Sequence, residues 1–180
     1  MAEKKLRFAI FGNGSKALES IQIWEMLDYL IKHSAEVYVE QSFYYALQHQ
    51  LKDDLEVDGL FEGSDFNADY VISLGGDGTF LKAASSVGAK QIPIIGVNMG
   101  RLGFLANVAP ADVISMLDNI FAGQYDIEER VVIQLDAGAE SLEGCPFALN
   151  DIAILKRDTA SMISIRASVN GEYLVTYLAD

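Results

Sequence analysis

Short apolar runs, each followed by a segment whose apolar positions recur every three or four residues, alternate along the chain from Leu6 to Phe121. Leu6 to Phe11 is the first run; it closes on Gly12-Asn13-Gly14, and Ser15 then precedes a helical pattern of Ala17, Ile21, Trp24, Leu27 and Ile31. Glu36 to Glu40 predicts a second strand and Phe43 to Leu51 a second helix, followed by an acidic stretch, Asp53 to Asp65, that reads as an exposed loop. Tyr70 to Leu74 is a strand of the buried type and enters Gly75-Gly76-Asp77-Gly78-Thr79, from which Thr79 to Val87 leaves as a helix. Ile92 to Val97 predicts another strand, and Asp112 to Phe121 a helix ended by Gly123. This alternation predicts an α/β fold with a parallel sheet.

After Tyr125 the periodicity changes to two. Strands are predicted over Glu129 to Leu135 and Phe147 to Leu155, and a hairpin over Met162 to Val169 and Glu172 to Leu178. Asn170-Gly171 between the last two runs is a two-residue turn signal, because both positions of such a turn need positive φ. A domain boundary between Gly123 and Glu128 follows, giving an α/β domain over residues 1–124 and the start of an all-β domain over 125–180. A hairpin with one or two further strands needs another layer over its apolar face. The second domain is therefore expected to continue past Asp180, the alternative being a face covered by a second subunit.

Composition narrows the function classes. Hydrophobic residues make up 51% of the 180, enough for a sizeable core, and no apolar run approaches the roughly 20 residues of a membrane-spanning helix. No signal-peptide pattern follows Met1, so a cytoplasmic location with no membrane partner is expected. Cys145 is the single cysteine, which excludes an internal disulfide and a Cys-rich zinc site; His33 and His49 have neither a partnered acid nor metal-ligand spacing. With 26 acidic against 13 basic residues and a net charge of −13, nucleic acid is an unfavourable partner. The same charge opposes an anionic nucleotide, so a phosphate site here must rely on backbone N–H groups, a helix N-terminus or a bound cation.

The glycine turn meets that requirement. Gly75, Gly76 and Gly78 around Asp77, between a buried strand and a helix start, let backbone approach a diphosphate while the following N–H groups point at it; Thr79, which closes the turn, is read with them as a binding residue. Glycine-rich strand ends are common as plain turns, but a carboxylate set beside a phosphate is costly without a use. An aspartate with an ordinary pKa of about 3.9 is a weak base toward a sugar hydroxyl, so late proton acceptance or cation holding suits Asp77 better than early abstraction.

Gly75-Gly76-Asp77-Gly78-Thr79 resembles the signature turn of the NAD kinases, a turn that phosphofructokinases and diacylglycerol-type lipid kinases share in similar form. Asn98-Met99-Gly100-Arg101-Leu102-Gly103-Phe104-Leu105 looks like the family's more selective Asn-x-Gly-x-Leu-Gly-Phe-Leu segment, which adjoins the nucleotide cleft and brings in Asn98. Leu102, Phe104 and Leu105 are also expected to pack in the core, and Arg101 occupies a variable position. Asn150-Asp151 falls where the family has an Asn-Glu or Asn-Asp pair contacting the adenosine half of NAD; read alone, it is a turn. Lys82 is one helical turn beyond Asp77, within phosphate reach, though that spacing also suits an exposed helix residue. Ser161 matches a dinucleotide-contacting position, and Asp180 opens the family's last motif, whose Thr- and Ser-rich glycine loop lies beyond it.

The resemblance implies a two-domain, homo-oligomeric enzyme with a phosphofructokinase-like front and a β-sandwich behind. It implies transfer of the γ-phosphate of ATP, or of polyphosphate, to the adenosine-ribose 2′-hydroxyl of NAD, with Mg²⁺ or another divalent cation screening charge. Asp77 would be its catalytic residue. A lipid or sugar kinase sharing the turn, and a noncatalytic dinucleotide-binding module, are the rival readings.

Overall fold

The computed structural model describes residues 5–13, 21–49, 55–100, 103–137, 146–154 and 162–179. Packing divides the chain into two compact units, residues 1–149 and residues 150–180.

The first unit is built on a five-stranded, wholly parallel sheet in the order β3-β2-β1-β4-β5. Its strands are β1 (Arg7–Gly12), β2 (Glu36–Glu40), β3 (Gly59–Phe61), β4 (Tyr70–Gly75) and β5 (Ile94–Asn98). Helices α1 (Ile21–Lys32), α2 (Gln41–Gln48), α3 (Asp77–Val87) and α4 (Val113–Phe121) cover it. Side chains alternate between the two faces of each strand. On one face Phe8, Ile10, Ile72 and Leu74 meet Ile23, Met26, Leu27 and Leu30 of α1, with α2 and α4 beside it. On the other, Ala9, Phe11 and Val71 meet Ala83 and Val87 of α3.

That division has a topological cause. From β1 the chain moves outward to β2 and β3, whereas from β4 it moves the opposite way to β5. Right-handed crossovers running in opposite directions place their helices on opposite faces. The carboxyl ends of β1 and β4, which are neighbours, therefore form the switch point where such sheets open a crevice.

Four expectations are corrected. The acidic stretch contains an edge strand, β3, because Phe61 is buried against Phe11 and Phe66 despite the surrounding carboxylates. Helix α3 starts at Asp77 rather than Thr79, which brings the aspartate into its first turn. The strand over Glu129 to Leu135 shrinks to β6 (Ile133–Gln134), paired antiparallel with β7 (Phe147–Ala148); Val131 is 84% exposed and has no described strand against it. Phe104, expected in the core, stands 96% exposed. Ser15, Ala17, Leu51, Arg101, Leu102, Cys145, Ser161 and Asp180 lie outside the described residues.

The second unit is a hairpin of β8 (Ile163–Val169) and β9 (Glu172–Ala179), with Asn170 at φ 53° and Gly171 at φ 86°, as its sequence predicts. Among the described residues, no helix is long and apolar enough to cross a membrane.

Ser73, at the centre of β4, is fully buried and its hydroxyl has no hydrogen-bond partner among the described residues. A buried, unmatched hydroxyl costs stability. Ser73→Ala is expected to leave the unfolding free energy unchanged or raise it by up to about 1 kcal/mol. Urea denaturation measures it, and a loss of similar size would mean that the hydroxyl is satisfied.

Candidate functional site

At the switch point lies an open cleft of about 610 Å³. Gly12 and Asn13 from the end of β1, Gly75 from the end of β4, Ser42 from the start of α2, and Gly76, Gly78, Thr79 and Lys82 from the start of α3 line it. Gly76 precedes the helix without any side-chain cap; its carbonyl accepts the Thr79 and Phe80 N–H groups at 3.0 and 3.1 Å, which leaves the N–H groups of Asp77 and Gly78 as the first-turn donors available to a ligand among the described residues. A β-carbon at Gly76 or Gly78 would meet no atom within 4 Å, so bare backbone faces open space there. Gly75 serves a different end: a methyl group on it would collide with Thr79 Oγ1, so its smallness seats the Thr79 side chain.

Asp77 is the first residue of α3 and turns its carboxylate to the loop after β5. The Phe104 N–H donates to Oδ2 at 2.9 Å, and the Leu105 and Ala106 N–H groups donate to Oδ1 at 3.0 and 3.3 Å. Gly103 makes this approach possible, because a β-carbon there would overlap the carboxylate. The Phe104 and Leu105 amides hold the Asp77 pKa below its ordinary value; desolvation opposes them and the Ala106 amide adds to them. Phe104 thus commits its backbone N–H to Asp77 while its side chain stands in solvent.

Asn98 ends β5, is 7% exposed, and its Oδ1 accepts the Gly100 N–H at 2.8 Å, bending the chain into the loop that reaches Asp77. Met99 N–H donates to Gly75 O at 3.0 Å, tying that loop to the glycine turn. Lys82 extends its ammonium to the cleft wall, where it meets Glu40 Oε1 at 3.2 Å. Gly75, Gly76, Gly78, Thr79 and Lys82 thus line the cleft, whereas Asp77, between Gly76 and Gly78, and Asn98, paired with Gly75 across β4 and β5, adjoin it without lining it. Asn150 and Asp151 belong to the second unit, where Asn150 Nδ2 donates to Asp151 Oδ1 at 3.1 Å.

Sequence reasoning overlooked Phe104 as a site residue and Glu40 and Ser42 altogether. The one available signal was an apolar residue between a glycine and two further apolar positions, which reads equally well as core. Among the described residues, no group of three or more His, Cys, Asp or Glu side chains is placed to hold a metal ion. The expected divalent cation has no such resident protein site among them.

Comparison with known proteins bears on this geometry. Residues 8–125 match the model of the ATP-NAD kinase N-terminal domain. The chain belongs to the NAD kinase family. It is 49% identical over 175 residues to the NAD kinase of Bacteroides fragilis (strain ATCC 25285), covering 97% of this chain and 60% of that protein. It is 36% identical over 174 residues to the NAD kinase of Porphyromonas gingivalis (strain ATCC 33277), with the same coverage of 97% and 60%. The chain thus spans about 60% of the length of these NAD kinase family relatives. The fold is also that of yeast NADH kinase crystallised with NADH, at a TM-score of 0.78 and 19% identity, covering 99% of this chain and 57% of that one.

The Asp77 contacts carry a pH signature. A carboxylate whose folded pKa lies below its unfolded value of about 3.9 stabilises the fold above that value and loses the effect as pH falls toward the folded pKa. Urea unfolding of wild type and Asp77→Asn is expected to differ by a constant amount above about pH 5 and to converge in acid below about pH 4. A difference that held or widened down to about pH 3 would show that the amides do not act on an ionised group.

Proposed function

We propose that the protein is an NAD kinase, transferring the γ-phosphoryl group of ATP, or a terminal phosphoryl of polyphosphate, to the 2′-hydroxyl of the adenosine ribose of NAD. One observation carries the reading: Asp77, set between the cleft-lining Gly76 and Gly78, is anchored by three amides and, among the described residues, keeps one acceptor position. An ionised carboxylate has about four lone-pair sites. Three are taken by the amides of Phe104, Leu105 and Ala106, and the remaining one is on Oδ2.

That position suits one hydroxyl. Its oxygen bonds to the γ-phosphorus as the bond from phosphorus to the β-bridging oxygen breaks, and ADP leaves with the electron pair. In a loose transition state the hydroxyl proton becomes acidic only late, so a carboxylate with a depressed pKa serves best by orienting the hydroxyl and taking its proton last. Gly76, Gly78 and the N–H groups of Asp77 and Gly78 receive phosphate, Lys82 offers an ammonium donor whose charge Glu40 balances, and Asn98 holds the loop that presents the three amides. The exposed Phe104 ring beside Asp77 offers a face for stacking a planar base.

The reading extends to parts that rest on family membership alone. Asn150, Asp151, Ser161 and Asp180 contribute to the adenosine and dinucleotide contacts of a β-domain that begins near Tyr125, after a nucleotide-binding domain over residues 1–124. A divalent cation accompanies the phosphates, and the enzyme works as a homo-oligomer in the cytoplasm, without nucleic-acid or membrane partners.

Full-length protein given ATP and magnesium with NAD, diacylglycerol or fructose phosphate is expected to phosphorylate NAD alone. Asp77→Asn is expected to lower kcat by about 10²- to 10⁴-fold while NAD still binds by calorimetry. Normal turnover in the variant would remove the role given to the carboxylate. Tight NAD binding by the wild type without product would favour a noncatalytic module.

A further inference from the structure

Glu40 does not line the cleft but bonds to two residues from different helices that do, Ser42 and Lys82. It ends β2 and caps α2: Oε2 accepts the Ser42 hydroxyl at 2.6 Å and the Phe43 N–H at 3.1 Å, while Oε1 accepts Lys82 Nζ at 3.2 Å. Its side chain is 9% exposed against 52% for Lys82. Burial alone would raise the Glu40 pKa, but the Ser42, Lys82 and Phe43 contacts outweigh it and keep the group ionised. The α2 start is pressed against the end of β1, where any side chain at Gly12 would run into the Phe43 ring.

The arrangement exceeds what a helix cap needs. Serine, threonine, aspartate and asparagine are the usual caps, and the carboxylate here meets a lysine of a neighbouring helix as well as capping its own. Lys82 is the only charged residue among the described residues that line the cleft, and Glu40 cancels it. In a chain of net charge −13, the cleft thus offers a polyanion backbone dipoles but no net positive charge. Repulsion by a fixed carboxylate grows in proportion to the charge of the ligand, so a phosphate chain already bound to a divalent cation is penalised less than a bare one.

We propose that Glu40 is a specificity-determining residue that makes this cleft admit polyphosphate complexed with a divalent cation and discriminate against the free polyanion. The inference rests on the reading of the cleft as a phosphate site. Glu40 acts through the charge balance at Lys82 and touches no reacting atom.

The test is calorimetric titration of full-length protein with sodium tripolyphosphate, once in EDTA and once in excess magnesium. Wild type is expected to bind the magnesium complex more tightly. Glu40→Gln is expected to bind the metal-free anion about fivefold or more tighter than wild type, with a smaller change for the magnesium complex, so that the ratio of the two Kd values falls. Glu40→Ser, which keeps a capping oxygen without the charge, is expected to do the same and decides the matter if the glutamine variant does not fold. Glu40→Asp, which keeps the charge, is expected to retain the wild-type ratio.

An unchanged ratio in the neutral variants, with binding intact, overturns the role of Glu40 and leaves the phosphate cleft standing. Loss of the ratio in Glu40→Asp as well as in the neutral variants overturns it too, because charge would not be the cause. Absence of any tripolyphosphate binding in the wild type overturns both.

Discussion

The contact between the Asp77 carboxylate and the backbone of residues 104–106 joins two parts of the fold that the sheet alone does not connect. One end is the first turn of α3, fixed by the parallel pairing of β4 with β1. The other is the loop after β5, which leaves the sheet at Asn98 and is drawn back over Asp77 by three N–H donors. Charge-assisted hydrogen bonds of this kind are the stronger ones, and each needs an amide that no regular structure has claimed. The loop is therefore irregular where the site requires it, and Gly103 lets it come close enough.

One consequence runs outward from that contact. An anchored carboxylate with a depressed pKa has a fixed direction and, among the described residues, one open acceptor, which suits orientation of a hydroxyl better than removal of its proton. Beside that contact in sequence, the side chain of Phe104 is exposed. On the other side of the glycine turn, first-turn amides and a single lysine face the cleft, and Glu40 balances that lysine. Attraction for phosphate then comes chiefly from oriented backbone rather than from net charge, as an acidic chain demands.

Much of this is legible in the amino-acid sequence. The order of strands and helices through Phe121 follows from where apolar periodicity changes, and the hairpin turn from the demand of Asn170 and Gly171 for positive φ. The glycine turn declares its place because a buried strand runs into it and a helix leaves it. What escapes such a reading has identifiable causes. Strand β3 is three residues long and its burial rests on Phe61 alone, within a run of acids that masks it. Phe104 joins the site through a hydrogen bond of its own backbone, which no side-chain pattern encodes. Glu40 reads locally as the last residue of a strand; its partner Lys82 is 42 positions away, and only the parallel order of the sheet brings them together.

Backbone amide hydrogen exchange at Phe104, followed by NMR, tests the central contact most directly. The side chain of Phe104 is almost wholly exposed and its residue lies in no helix or strand, so slow exchange of its N–H has one source, the Asp77 carboxylate. Protection in the wild type that is lost in Asp77→Ala is the predicted result. Exchange at the rate of a free loop in the wild type would contradict it.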